Sequence, residues 1–174
     1  VEDGPDPDNL IEARGTMEPD AVLPHLSGAL EGYVSGAAPW RIDIRIPSGN
    51  EAPVVLSGSS ELRGTAIDLP SPLKKARDDT HRLAFSVPLD GDSGARLVRV
   101  EYGDDMRALI ELLEDGDGDI VCDRATMHFG DGEVWLREEP GLFMTGAVER
   151  LDLRGWVRTA STAASGSSAT AGTA

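Results

Sequence analysis

The side chains best suited to catalysis or metal binding are three histidines and one cysteine, and they are scattered along the chain. His25, His81 and His128 form no H-x-H or H-E-x-x-H pair, and no cysteine–histidine spacing is typical of zinc. Cys122 is the only cysteine, which excludes an internal disulfide. Because Cys122 closes the apolar run 120–122, we predict a small buried side chain rather than a nucleophile.

An alternation of aspartate and glycine gives the best candidate for a cation site. Asp115, Asp117 and Asp119 present carboxylates at alternate positions, which suits a hard cation such as Ca²⁺. An EF-hand loop would then need Gly at its sixth position and Glu at its twelfth, but Ile120 and Thr126 stand there. We therefore predict a solvated turn with no metal, whose three carboxylates are candidate contacts for a protein partner.

No catalytic motif is present in the sequence. Ser57-Gly58-Ser59-Ser60 does not match the G-x-S-x-G elbow, and no glycine-rich loop matches a phosphate-binding pattern. Paired carboxylates occur, but so acidic a chain brings them together by chance. We predict a protein that is not an enzyme and carries no cofactor. A small enzyme that uses His81 or His128 with a neighbouring carboxylate is a further alternative.

The charge balance restricts the partners. The 174 residues include 31 Asp and Glu against 16 Lys and Arg, for a net charge of -15, and Lys74 and Lys75 are the only lysines. A nucleic-acid surface needs clustered basic residues, so nucleic acid is excluded, and anionic membranes are disfavoured. Three explanations of the acidity remain open: solubility in a protein from a GC-rich genome, adaptation to high salt, and an acidic face for a basic partner.

Hydrophobic periodicity predicts both strands and helices. Trp40, Ile42, Ile44 and Ile46 alternate with charged residues, which predicts a half-buried strand over 40–46. Further strands are predicted at 54–56, 62–69, 120–122 and 142–144, with hairpins formed by 81–87 with 96–102 and by 126–129 with 133–137. The segment 148–157 is predicted as a closing strand, with an amphipathic helix as the alternative.

Two segments have helical spacing. The apolar residues of 19–33 recur at helical intervals, although Pro24 and two glycines weaken the pattern. In 105–114, Met106, Leu109, Ile110 and Leu113 occupy positions i, i+3, i+4 and i+7 behind an aspartate cap. We therefore predict an α+β fold: a mainly antiparallel β-sheet or small barrel with these two helices packed on it.

The ends of the chain differ from its middle. Residues 1–16 read as an acidic arm with two prolines, and residues 159–174 as a flexible Ala/Ser/Thr/Gly tail, which leaves 17–158 as a single domain. We see no signal peptide or membrane-spanning segment and expect a soluble protein, in the cytoplasm or in an assembled particle. The loop 69–79, which holds both lysines, is predicted to be solvated rather than an anion site.

These features together favour a role in association between proteins. Trp135 alternates against Val134 and Leu136, which can place it on the outer face of the sheet as an interface anchor, with ordinary packing under a loop or helix as the alternative. The leading hypothesis is a non-enzymatic assembly subunit of a larger particle, for example a viral head or tail component. The alternative is an acidic inhibitor or immunity protein that docks a basic partner.

Overall fold

Strands are the main regular structure of the described part of the chain. The structure, a computed structural model, describes residues 9–18, 32–49, 52–89, 95–104, 106–114 and 120–166. The strands and the one described helix are β1 (Asn9–Met17), β2 (Val34–Gly36), β3 (Ala38–Ile46), β4 (Val55–Ser60), β5 (Thr65–Ile67), β6 (Leu83–Pro88), β7 (Ala95–Tyr102), β8 (Met106–Glu114), β9 (Ile120–Phe129), β10 (Gly141–Gly146) and α1 (Leu153–Gly166).

Eight of the strands form one sheet in the order β1-β3-β4-β6-β7-β8-β9-β10. Neighbours pair antiparallel except β10, which runs parallel to β9 after the connection 130–140 crosses back along the sheet. β2 and β5 form a separate two-stranded sheet. Among the described strands, the large sheet therefore ends in β1 on one side and β10 on the other.

The register gives the sheet one apolar face and one polar face, because directly opposed residues project to the same side. The apolar side, here called the inner face, carries a row across all eight strands: Ala13, Ile42, Gly58, Phe85, Val100, Ala108, Met127 and Met144. On the outer face the adjacent row reads Arg14, Arg41, Ser59, Ala84, Glu101, Arg107, His128 and Thr145. Burial of the inner face drives the folding of the sheet.

Part of the inner face is covered by residues 62–79, here called the covering segment. Leu62 and Leu73 of this segment are buried in the same cluster as Trp40 and Phe85 of the sheet. The segment is held in shape by the pairing of β5 with β2 and by a bridge in which Ile67 and Lys75 exchange two backbone hydrogen bonds of 2.9 Å. The covering segment therefore packs on part of the inner face without belonging to the large sheet.

Helix α1 is attached to the covering segment at its first turn. Asp152 caps the helix, since its Oδ1 accepts a 2.9 Å hydrogen bond from the Gly155 amide. The indole nitrogen of Trp156 donates a 3.0 Å hydrogen bond to the Ser71 carbonyl, and the ring packs against the buried core. The closing strand predicted at 148–157 is therefore wrong. The alternative prediction, an amphipathic helix, is correct from Leu153 onward.

The predicted α+β class is wrong, because the described chain is mostly β-sheet with one short helix. The predicted helix 105–114 is strand β8, paired on both sides with β7 and β9. The predicted helix 19–33 falls largely outside the described residues, and its last residues lead into β2. The predicted strand 133–137 is irregular, so no hairpin forms there, whereas the strand 40–46 and the hairpin of 81–87 with 96–102 are confirmed.

The domain boundaries stay predictions, although the structure places regular elements inside both predicted ends. Within the range predicted as an acidic arm, Asn9–Met17 form β1 and pair with β3, and residues 1–8 lie outside the described residues. At the other end, α1 continues to Gly166.

Candidate ligand-binding site

An apolar cavity of about 230 Å³ lies between the inner face and the covering segment. No residue that lines it is charged. The sheet contributes Trp40, Leu83, Val100, Tyr102, Met106, Ala108, Ile110, Ala125, Met127 and Leu142, and the opposite side is formed by Val34, Leu62, Thr65, Ile67, Leu69 and Leu73. Because Leu142 on the edge strand β10 is 60% exposed, the cavity reaches the surface there.

Thr65 lines the cavity and is buried, and its hydroxyl has no hydrogen-bond partner among the described residues. The residue is 1% exposed. An unsatisfied buried hydroxyl costs about 1–3 kcal/mol.

Lys75 lies buried behind Thr65, although the sequence predicted a solvated loop for 69–79. Its Nζ donates to the carbonyl oxygens of Thr65 at 2.8 Å and of Ala76 at 2.9 Å. Burial lowers the pKa of Lys75, and the negative charges of Asp79 and Asp78 partly oppose this effect. The prediction is wrong for Lys75 because its ammonium group holds the backbone of the covering segment together. Lys74 is exposed and pairs with Asp68 at 3.0 Å.

Tyr102 joins the cavity to the covering segment. Its hydroxyl donates to the Leu73 carbonyl at 3.3 Å, and its ring stacks on His81 with centroids 4.0 Å apart. Burial raises the pKa of Tyr102 to about 12, with a smaller contribution from the charge of Asp79. Burial of Tyr102 therefore favours its neutral form, as an apolar site requires.

The histidines and the cysteine do not come together. His81 lies against Tyr102, whereas the ring nitrogens of His128 lie 3.0 Å from Thr145 Oγ1 and 3.2 Å from the Asp131 carbonyl. His25 lies outside the described residues. Cys122 is exposed on β9, so the prediction of a buried cysteine is wrong. In the described part of the chain, no three His, Cys, Asp or Glu side chains form a group that could hold a metal ion.

Of the residues proposed for partner contacts, the structure locates one. Trp135 is 63% exposed in the irregular connection between β9 and β10. Asp115, Asp117 and Asp119 lie outside the described residues. Trp135 does not line the cavity, so its proposed role and that of the cavity are separate.

No sequence pattern predicted the cavity, although part of its signal was present. The alternation of Val98, Val100 and Tyr102 placed these residues on one face of a strand, and two of them line the cavity. The other side of the cavity comes from the covering segment, where Leu62, Ile67 and Leu69 show no regular spacing. No local pattern indicated that this segment folds over the sheet.

Comparison with known proteins places the chain in one family. A family model described as YhdP protein matches residues 3–174. The chain belongs to the YhdP family. This family is not known as a family of enzymes. Neither a curated protein nor a solved structure matches the chain.

A helix needs about 20 mostly apolar residues to span a membrane. Helix α1 is 14 residues long, and no helix in the described part of this YhdP-family chain combines the length and apolar character needed to span a membrane.

Proposed function

We propose that this YhdP-family protein binds an elongated apolar molecule, such as an aliphatic chain, between the inner face and the covering segment. The observation that carries the proposal is a cavity without a charged lining residue in a chain with a net charge of -15. Binding sites for small molecules are commonly concave and mostly apolar, with a few polar groups that fix orientation. The surface exposed in this cavity is almost wholly apolar, which suits an aliphatic chain.

The size of the cavity and the composition of the sheet support this proposal. Its volume of about 230 Å³ exceeds the ~150 Å³ of an engineered apolar cavity that binds benzene. The apolar row of the inner face continues past the cavity to Met144 on β10, which is 38% exposed. A chain longer than the cavity would therefore find further apolar surface towards that edge.

The binding site can be tested by filling it. Ala108 lies on the cavity wall in β8 and is 4% exposed, so Ala108→Trp would occupy the space that the ligand needs. We expect the affinity for parinaric acid, a fluorescent polyene fatty acid, to fall at least tenfold. Ala84→Trp is the matched control, because Ala84 lies on the outer face. Equal affinity of the two variants, with both folded by circular dichroism, would contradict the proposal.

Association with other protein chains is a second candidate function, and the open edges of the sheet favour it. Strands β1 and β10 each have one neighbour among the described strands, and they carry the exposed residues Leu10, Ile11 and Leu142. Exposed sheet edges with apolar side chains pair readily with further strands. The roles in a viral particle and as an acidic inhibitor stay predictions, since no comparison names such a protein.

A further inference from the structure

The edge of β1 that faces away from β3 has the properties of a surface that pairs with another strand. β1 is nine residues long, has no proline, and is exposed from Asn9 to Thr16. Its register with β3 is continuous, without a bulge that would twist the edge away. Leu10 and Ile11 are 53% and 52% exposed. Natural proteins usually protect such edges with prolines, bulges, very short strands or charged side chains, and of these β1 has only the charged side chains of Glu12 and Arg14.

The charges of β1 are poorly matched to β3, its only neighbour among the described strands. Glu12 lies opposite Asp43, and Arg14 lies opposite Arg41. Like charges directly opposite each other destabilise a strand pair. Arg41 relieves the first conflict because it bonds both Glu12 and Asp43.

No described residue relieves the second conflict. Arg14 pairs with no carboxylate among the described residues. The contact of Arg41 with Glu12 uses only Oε1 of that carboxylate. No described residue bonds the second oxygen, Oε2. It is therefore available to accept a hydrogen bond from another chain.

We propose that two copies of the chain pair antiparallel through β1, centred on Ala13. In this register Glu12 of each copy lies opposite Arg14 of the other, so the symmetric pair has two opposite-charge contacts on the outer face. On the inner face, Ile11 lies opposite Gly15 and the two Ala13 residues meet. The two eight-stranded sheets then join into one, with a continuous apolar inner face.

The charges select this register over its neighbours. Centring the pair on Glu12 would place two carboxylates directly opposite each other, and centring it on Arg14 would oppose two guanidinium groups. A shift by one residue would set charged side chains of one copy on the apolar face of the other, because side chains alternate with a period of two. A two-fold axis at Ala13 avoids all three conflicts and gives a closed, symmetric interface.

This inference rests on the association role proposed above and is independent of ligand binding in the cavity. The single variants Glu12→Arg and Arg14→Glu each place like charges across the proposed interface. Within the chain, both changes suit β3: the new cation at position 12 faces Asp43, and the new carboxylate at position 14 faces Arg41. The variants are therefore expected to fold, which circular dichroism and urea unfolding would verify.

The experiment is sedimentation equilibrium on the unmodified chain, on each single variant, and on their equimolar mixture. We expect the unmodified chain to dimerise and each variant to dimerise at least tenfold more weakly. The mixture is expected to regain dimers, because each copy then opposes its partner with the opposite charge at both positions.

The outcomes separate the inference from the association role itself. If the unmodified chain dimerises and both variants dimerise equally well, the β1 register is wrong while association through another surface stands. A mixture that stays monomeric like its components also overturns the register. A monomer at every concentration of the unmodified chain overturns both. Binding of parinaric acid should be the same in all these proteins, since positions 12 and 14 lie outside the cavity.

Discussion

Tyr102 shows how one buried residue makes the stability of the fold depend on pH. Its pKa is raised to about 12 by burial, against about 10 in an unfolded chain. Between these values the unfolded state has lost a proton that the folded state still holds. Stability therefore falls as the pH rises from about 10 to about 12, by up to roughly 1.4 kcal/mol per pH unit.

We predict that Tyr102→Phe removes this loss of stability at high pH. At pH 7 the variant should be less stable by about 1 kcal/mol, because the hydrogen bond to Leu73 is lost. The difference should shrink or reverse as the pH approaches 11.5, as measured by urea unfolding. The lowered pKa of Lys75 adds a slope of opposite sign, but both proteins share it. Parallel pH profiles would show that Tyr102 is not the group responsible.

Gly58 is a position where the packing of the inner face permits no side chain. It lies directly opposite Phe85, whose ring occupies the space that a Cβ would need, and Ile42 Cδ1 would lie 3.0 Å from that Cβ. We predict that Gly58→Ala lowers the free energy of unfolding by about 1–3 kcal/mol, since core overpacking shifts neighbouring side chains.

Gly15 provides the comparison for Gly58, because it is also a strand glycine of the same sheet. Nothing lies within 4 Å of a Cβ built at Gly15. Gly15→Ala should therefore be neutral or stabilising by up to about 1 kcal/mol. Chemical denaturation of both variants at low protein concentration measures the two effects. Equal effects of the two substitutions would mean that the Phe85 ring moves aside at little cost.

At the scale of elements, β8 shows why periodicity alone misassigned a strand. Met106 and Ile110 fit two patterns. With Leu109 and Leu113 they form the apolar stripe of a helix, and with Ala108 they form the every-second-residue pattern of a strand. Short apolar segments are ambiguous in this way, and neighbouring strands decide the outcome. In the structure a tight turn precedes β8: Tyr102 pairs with Met106 across Gly103, which has φ 63°. A glycine with positive φ suits a tight hairpin turn.

Other elements show where prediction from sequence stops. The strand β3 followed from strict alternation between apolar and charged residues, because such a pattern fits a sheet with one buried face. The parallel pairing of β10 with β9 could not follow, since it depends on the path of the irregular connection 130–140. The cavity depends on contacts between the sheet and the covering segment, which are distant in sequence and leave no local pattern.

At the scale of the whole molecule, charge is concentrated away from the cavity. The outer face carries ion pairs, including Arg124 with Glu111 at 2.6 Å, whereas the cavity lining has no charged residue. A net charge of -15 makes the folded chain repel itself. Screening acts over about 10 Å at 0.1 M salt, so dissolved salt relieves repulsion between exposed carboxylates that are further apart.

Stability should therefore rise with salt rather than fall. We predict that the free energy of unfolding, measured with urea because urea is uncharged, increases between about 10 mM and about 150 mM KCl. Lys74→Glu makes the chain more negative by two charges at an exposed position and should steepen this dependence. A decrease with salt would mean that attractive pairs such as Arg124–Glu111 outweigh the net repulsion, and it would remove high-salt adaptation as an explanation of the acidic composition.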